Sequence, residues 1–343
     1  MALLMPSTAD AQRRRKVVKE PEPTEDPRIQ QMLASMQQVV FIDSLVVPLH
    51  NFVSHIPLSG ECGRLTAPDG LGCHTNELGD HRLQAIAEND TLSHLCTSDL
   101  IGGEWTAPVQ AEGISDASAN YPYLLPDGTT LYFAQRGEQS LGGYDVFVTR
   151  YDAESSSFYR AENLGMPFAS EADDLLYVID ETYHLGYFVT NRHQPTGKVC
   201  IYVFIPPKTR RTYPSEAYSD QQLRSFASIN RIADTWSLAT QDERQQALQR
   251  LALARQEAFS STPDSSQETT GNNDDELGSL RAQAAILEQT LDNTRRFYAR
   301  ASAEERQQLC NEILSAEREL EQLQTEIHQK EKELRNRQYQ NNN

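Results

Sequence analysis

The stretch YPYLLPDGTTLYFAQRG (Tyr121–Gly137), continued by GGYDVFVTRYD (Gly142–Asp152) and FYRAENLG (Phe158–Gly165), decides the fold, because the chain then says nearly the same thing again. The second pass reads DDLLYVIDETYHLGYFVTNR (Asp173–Arg192) and GKVCIYVFIP (Gly197–Pro206). Each pass is a strand, a tight turn and a strand ending in a small basic punctuation, Gln135-Arg136-Gly137 or Asn191-Arg192. A glycine loop and an aromatic strand follow. Repetition of short strands predicts a unit that cannot bury its own faces and must stack on copies of itself. Within the first pass, Pro126-Asp127-Gly128-Thr129 is a hairpin turn in which glycine supplies the positive φ. Asp145–Thr149 and Cys200–Phe204 are apolar on both faces, as strands covered from two sides should be.

Working outward, residues 74–113 read as a degraded third copy. Arg82–Ile86 is a strand, Asn89-Asp90 a turn and Thr91–Leu95 a second strand. Gly102-Gly103-Glu104-Trp105 then matches the aromatic exit around Phe158–Asn163. The three units, 74–113, 115–167 and 169–206, follow at a spacing of about 40–50 residues, the range of four-stranded propeller blades. The β-branched run Val39–Val47, closed by Pro48, is a further strand upstream.

The motifs in 121–206 resemble the PD40, or TolB-like WD40-type, β-propeller repeat, in the version common in exported proteins of Bacteroidetes-type bacteria. The resemblance covers about residues 40–210 and is strongest over 115–206. It implies a mainly β, propeller-like domain (39–213) whose repeat-motif positions are Asp127, Gly128, Arg136, Gly142, Gly143, Tyr144, Asp145 and Arg192. It also implies a binding platform in the cell envelope. A closed propeller usually needs at least ~4 blades. Three are clear, with 39–72 as the candidate fourth, and an open partial propeller is the alternative. No OmpA-like peptidoglycan-binding segment accompanies the repeats.

Composition narrows the partners. The 343-residue chain carries a net charge of -18, which argues against nucleic acid, whose phosphates require a basic stripe. No apolar run approaches the ~18 residues of a spanning helix, so no transmembrane anchor is expected. Ala9-x-Ala11 before Gln12 has the small-x-small pattern of a signal-peptidase site behind an unusually short apolar run. The expectation is a secretory signal starting upstream of Met1, an exported periplasmic or envelope protein, and a disordered, Pro-rich arm reaching residue 38. Of the five cysteines, Cys62 and Cys73 flank a Gly/Pro loop and are the candidate pair in an oxidising compartment. His74 beside Cys73 lacks the ligands that would complete a zinc site.

Beyond Pro206-Pro207 the periodicity becomes helical. A helical segment spans 218–259, with a capping pattern at Ser219–Gln222 and a capping box at Thr240-x-x-Glu243. A low-complexity linker covers 260–275. Residues 276–340 carry heptads (Leu280, Ala284, Leu287, Leu291, then Leu309 to Leu334) that predict a coiled coil or a helical hairpin, and a route to homo-oligomers. The step around Ser302-x-x-Glu305 admits either a reversal or a stutter.

No motif for chemistry emerges. The acids Glu171, Asp173, Asp174, Asp180 and Glu181 lack the alternating-oxygen pattern of a calcium loop and are read as strand starts and turns. No nucleophile elbow accompanies His184 or His193, and no phosphate-binding glycine loop is present. Tyr132, Phe133, Tyr144, Phe147, Tyr187, Phe188, Tyr202 and Phe204 are read as core between blades. Arg136 and Arg192 recur at one position in both copies, and each is expected to tie its loop to a carboxylate of a neighbouring blade. The expectation is therefore a non-enzymatic protein–protein interaction scaffold with no cofactor and no metal. A carbohydrate-active hydrolase and a mainly structural oligomeric subunit are the rivals.

Overall fold

The computed structural model describes residues 26–260, apart from 90, 115, 116 and 215, and scattered positions between 284 and 330. The signal-like segment and the linker after residue 260 lie outside the described residues. The chain divides into two units, 1–262 and 263–343.

The first unit is mainly β, in three curled antiparallel sheets that follow one another along the chain after an initial strand, β1 (Val40–Pro48). The first sheet holds β2 (Arg64–Thr66), β3 (Cys73–Thr75), β4 (His81–Ala87), β5 (Ser93–Ile101) and β6 (Glu104–Trp105) in that order, with β7 (Val109–Gln110) also on β5. The second holds β8 (Ser118–Leu124), β9 (Thr130–Arg136), β10 (Asp145–Asp152) and β11 (Ser157–Phe158), with β12 (Glu162–Asn163) on β10. The third holds β13 (Asp174–Asp180), β14 (Leu185–Thr190) and β15 (Lys198–Ile205), and β1 completes it by pairing with β15 from Val40↔Ile205 to Pro48↔Lys198. The segment 39–72 therefore forms no fourth sheet. Its strand closes the third sheet, and its C-terminal end enters the first.

The second and third sheets share an irregularity. Pairing slips between Asn120 and Tyr123, midway along β8, and between Asp174 and Leu176, at the start of β13; each slip follows the pair made by the residue two before the arginine, Ala134 or Thr190. An extra residue bends a strand and raises its twist, so both leading strands curl at the same place relative to that arginine.

Burial explains why the copies read differently in sequence. The second sheet lies between the other two: Leu83, Ala85 and Leu95 pack with Leu131, Phe133 and Phe147 on one side. On the other side Val146 and Phe168 pack with Tyr177, Phe188, Tyr202 and Phe204. Every residue of β8 and of β14 is buried, so neither strand alternates. In the first sheet only one face is covered. Leu83 and Ala85 are buried, while the alternating Arg82 and Gln84 are half-buried and Ile86 is exposed. The weaker apolar patterning of 74–113 is what a sheet with one wet face requires.

The far face of the third sheet is covered by the chain's own extensions. Phe52 and Ile56, from a 3-10 segment after β1, and Ala247 and Leu251, from α3 (Gln241–Ser260), join Tyr187, Val189, Ile201 and Val203. The outer edge of β1 is also occupied. The Phe41 N–H donates to Thr235 Oγ1 (3.1 Å) and the Trp236 Nε1–H donates to the Phe41 carbonyl (2.9 Å). Such side-chain pairing occupies the edge at Phe41, where another strand would otherwise pair. Arg255 pairs with Asp43 at 2.7 Å and Arg250 donates to the Tyr183 carbonyl, fixing α3 across the sheet.

Two boundaries differ from the sequence reading. The arm expected to reach residue 38 gives way to a helix at Pro27–Ala34, capped by Asp26, whose Leu33 is buried with Met36, Met166, Tyr213 and Leu223. Its Arg28 donates to the carbonyls of Glu138 and Ser140 in the second sheet. The helix opened by the Ser219–Gln222 capping box, α2 (Asp220–Ala227), is short, and a separate 3-10 turn carries Ile232–Leu238. The Thr240–Glu243 capping box opens α3.

In the second unit the described positions are helical, and the seam residues Ala284 and Leu291 are buried. Arg295 pairs with Glu317 at 2.7 Å.

Candidate binding groove

The repeat positions hold the sheets together. Asp127 closes the β8–β9 turn: its carboxylate accepts from the N–H groups of Thr129 and Thr130 (both 2.8 Å) and from the Thr130 hydroxyl (2.6 Å). Burial pushes this carboxyl up, but those donors outweigh it and leave it below the ordinary carboxylate value. Gly128 sits at φ +69°, where a side chain would be strained.

Gly142 and Gly143 serve close approach. A Cβ on Gly142 would lie 2.3 Å from the Glu171 carbonyl oxygen, and one on Gly143 would lie 2.1 Å from Asp173 Oδ1. Between them they let the β9–β10 loop rest on the segment leading into the third sheet. Next to them the Tyr144 N–H donates to Asp173 (3.2 Å), and the Asp174 N–H donates to the Tyr144 carbonyl (2.6 Å). Gly142→Ala is expected to cost about 1–3 kcal/mol by forcing these backbones apart; a thermal unfolding midpoint equal to that of the parent would contradict the contact.

Asp145, fully buried, accepts from the Leu141 N–H (2.9 Å), the Asn163 side-chain amide (2.8 Å) and the Ser170 N–H (3.3 Å). Burial, with the charge of Asp174 adding to it, pushes its carboxyl up to about 7. Arg192 is buried as well. Its Nη2 pairs with Asp174 at 2.6 Å, its Nη1 donates to the Ala227 carbonyl, and its Nε donates to Thr190 Oγ1. Asp174 lies in the same sheet as Arg192. Arg136 is exposed, donates to the Thr91 carbonyl (2.8 Å) and stands 5.1 Å from the Tyr144 ring centre. The common role expected of the two arginines therefore fails twice. Arg192 meets a carboxylate of its own sheet, and Arg136 reaches the neighbouring sheet but finds a carbonyl.

The other candidates are held in the interior. Asp180, fully buried, accepts from the N–H groups of Ser59 and Tyr183 and from the Cys62 thiol. His74 is buried, with Nε2 3.0 Å from the Cys62 carbonyl and Nδ1 accepting from the Leu124 N–H at 3.4 Å. Burial lowers its pKa, so the ring is neutral. Cys62 and Cys73 are free thiols, and the bridge between them is not formed. Among the described residues no group of His, Cys, Asp and Glu is placed to hold a metal ion. Of the aromatic residues assigned to the core, Phe133, Phe147, Tyr187, Phe188, Tyr202 and Phe204 are buried, while Tyr132 and Tyr144 are half-buried.

Among the described residues there is also a concave site that the sequence did not announce. The first and second sheets splay apart at the end marked by the β8–β9 turn and leave a groove of about 510 Å³. Its floor is apolar, with Leu83, Ala111, Leu124 and Phe158 buried there. Along its rim stand Glu77, His81, Asp99 and Glu112, with Val109 and Tyr151 exposed beside them. His81 Nδ1 and Asp99 Oδ1 are 2.7 Å apart, so the carboxylate fixes one ring nitrogen and orients the other. The only trace in sequence is a polar residue at the end of an apolar run, His81 ahead of Leu83 and Ala85.

No protein-family model matches the chain, and a search of curated proteins returns no match.

Proposed function

We propose that the chain is a non-enzymatic protein–protein interaction scaffold of the cell envelope. In this reading the three sheets are three blades of an open, TolB-like propeller, and the C-terminal heptads provide oligomerisation or docking. The observation that carries it is the completion of the last sheet by the first strand, on a stack in which the second and third sheets carry matching bulges. An interlocked stack of this kind is a rigid platform whose loops and rim are free to vary. The engagement of the buried acids supports a scaffold over a hydrolase. Asp145, Asp174 and Asp180 are fully buried, and each accepts hydrogen bonds from its own surroundings.

The reading predicts that cross-linking in the envelope fraction captures a protein partner, and that deleting residues 276–343 leaves this capture intact while removing self-association. Loss of the partner together with the heptads would move recognition to the C-terminal region. Release of reducing sugar from a glycan by the purified full chain, abolished in Glu112→Gln, would replace the scaffold with the hydrolase. Export is tested by N-terminal sequencing of the mature protein, with Gln12 as the expected first residue.

A further inference from the structure

We infer that the groove between the first and second sheets binds an extended protein segment in which basic residues, arginine or lysine, alternate with apolar ones. This rests on the reading of the protein as an interaction scaffold and names the chemistry of its partner.

Shape and charge both lead there. The floor is made by Leu83, Leu124 and Phe158, so whatever enters must offer apolar surface to gain from leaving water. The rim is acidic. Glu77, Asp99 and Glu112 line the groove, and neither lysine nor arginine does. Glu77 and Glu112 are exposed, and no described residue donates to either carboxylate. Asp99 has one partner, His81, and its side chain remains 60% exposed. Three carboxylates, two of them without a partner among the described residues, beside an apolar floor attract a cation with an apolar body and repel an acidic segment. The chain as a whole is also acidic, at -18, which steers basic partners toward it over distance.

The form of the ligand follows from the walls. Both sides of the groove are strand ends and hairpin turns: the β8–β9 turn with Leu125 and Pro126 on one side, and the start of β4 with the end of β5 on the other. An extended segment laid along such a cleft sends alternate side chains to opposite sides. Apolar residues then face the floor while basic residues meet the rim.

The test uses the full chain and three fluorescein-labelled heptapeptides: Gly-Arg-Val-Arg-Val-Arg-Gly, its glutamine counterpart and its glutamate counterpart. Fluorescence anisotropy is expected to show binding of the arginine peptide, weakened at least about tenfold in the glutamine peptide and absent in the glutamate one. Glu112→Gln, and Asp99→Asn combined with it, should each weaken the arginine peptide further while leaving the melting temperature unchanged, since both side chains are exposed. Glu138→Gln, away from the groove, should change nothing. Equal binding of the arginine and glutamine peptides, or indifference to Glu112→Gln and Asp99→Asn, overturns the inference. Preference for the glutamate peptide assigns the groove an acidic occupant. Self-association abolished by Glu112→Gln assigns it a second copy of the chain. Either result also overturns the inference. The scaffold reading fails separately: mass spectrometry showing cleavage of the bound peptide would end it without moving the ligand from the groove. If the groove fails while a partner is still captured from the envelope, the scaffold stands and its docking surface lies elsewhere.

Discussion

Arg192→Ala is expected to destabilise the first unit by about 3–5 kcal/mol, the largest loss of any single substitution considered. The guanidinium is buried and pairs with Asp174, itself fully buried, so truncation leaves a carboxylate with neither water nor a counter-charge. Asp174 Oδ2 already has no hydrogen-bond partner, which leaves nothing to absorb the change. The arginine also bonds the Ala227 carbonyl at the end of α2, so the helical segment loosens with the sheet. The double variant Arg192→Met/Asp174→Leu separates charge from packing. Replacing both partners by apolar side chains of similar volume should recover most of the loss. Urea unfolding of the three proteins measures this, and a loss below about 1 kcal/mol in the single variant would mean that water reaches Asp174.

Stability should also fall as pH rises from about 4 to about 7, by on the order of 4 kcal/mol from one group. Asp145 is that group: burial, and then the charge of Asp174, holds its carboxyl at about 7 in the folded protein against an ordinary value of 3.8. Between those values the folded chain binds a proton that the unfolded chain has released. Each step upward in pH therefore favours unfolding, and the contribution is fully present only below about 4. His74 works in the opposite direction, because its lowered pKa keeps it neutral when folded and stability from it is lost as pH falls below 6.5. The clean measurement is the difference between the parent and Asp145→Asn across the range. Asparagine keeps an acceptor for Leu141 and Asn163 and gives up the weaker bond from Ser170. The difference should slope through pH 4–7. Parallel curves would show that Asp145 is ionised throughout.

Much of the first unit was legible because strands buried on both faces must be written in continuous apolar and aromatic residues. Tyr121–Leu124 and Tyr187–Val189 say this without ambiguity, and the turn at Asp127-Gly128 sits between β8 and β9 where glycine requires it. The capping boxes at Ser219 and Thr240 were equally local, and each opens a helix. What could not be read depends on partners distant in sequence. Nothing in Val40–Pro48 says which strand it will join, because edge pairing with β15 is made by backbone groups common to every residue. Arg136 and Arg192 occupy like positions in sequence but unlike surroundings. One is exposed at the end of β9, whereas α2 has covered the other and supplied the Ala227 carbonyl. The groove was hidden for a further reason: it is a gap between two sheets, and Glu77, His81, Asp99 and Glu112 come together only when those sheets splay.

The pairing of β1 with β15 also constrains how the protein is made. The strand synthesised first belongs to the sheet synthesised last, so it has no native partner until residues 198–205 have left the ribosome. Throughout that interval an apolar strand with an open edge is waiting, which is the condition under which nascent chains recruit chaperones or pair wrongly. Once joined, the two ends of the β domain are fastened to each other by one antiparallel ladder. Because Val40 lies opposite Ile205, both ends leave the ladder at the same end, so tension drawn from them opens it one hydrogen bond at a time, and this clasp must unzip before any sheet can unravel.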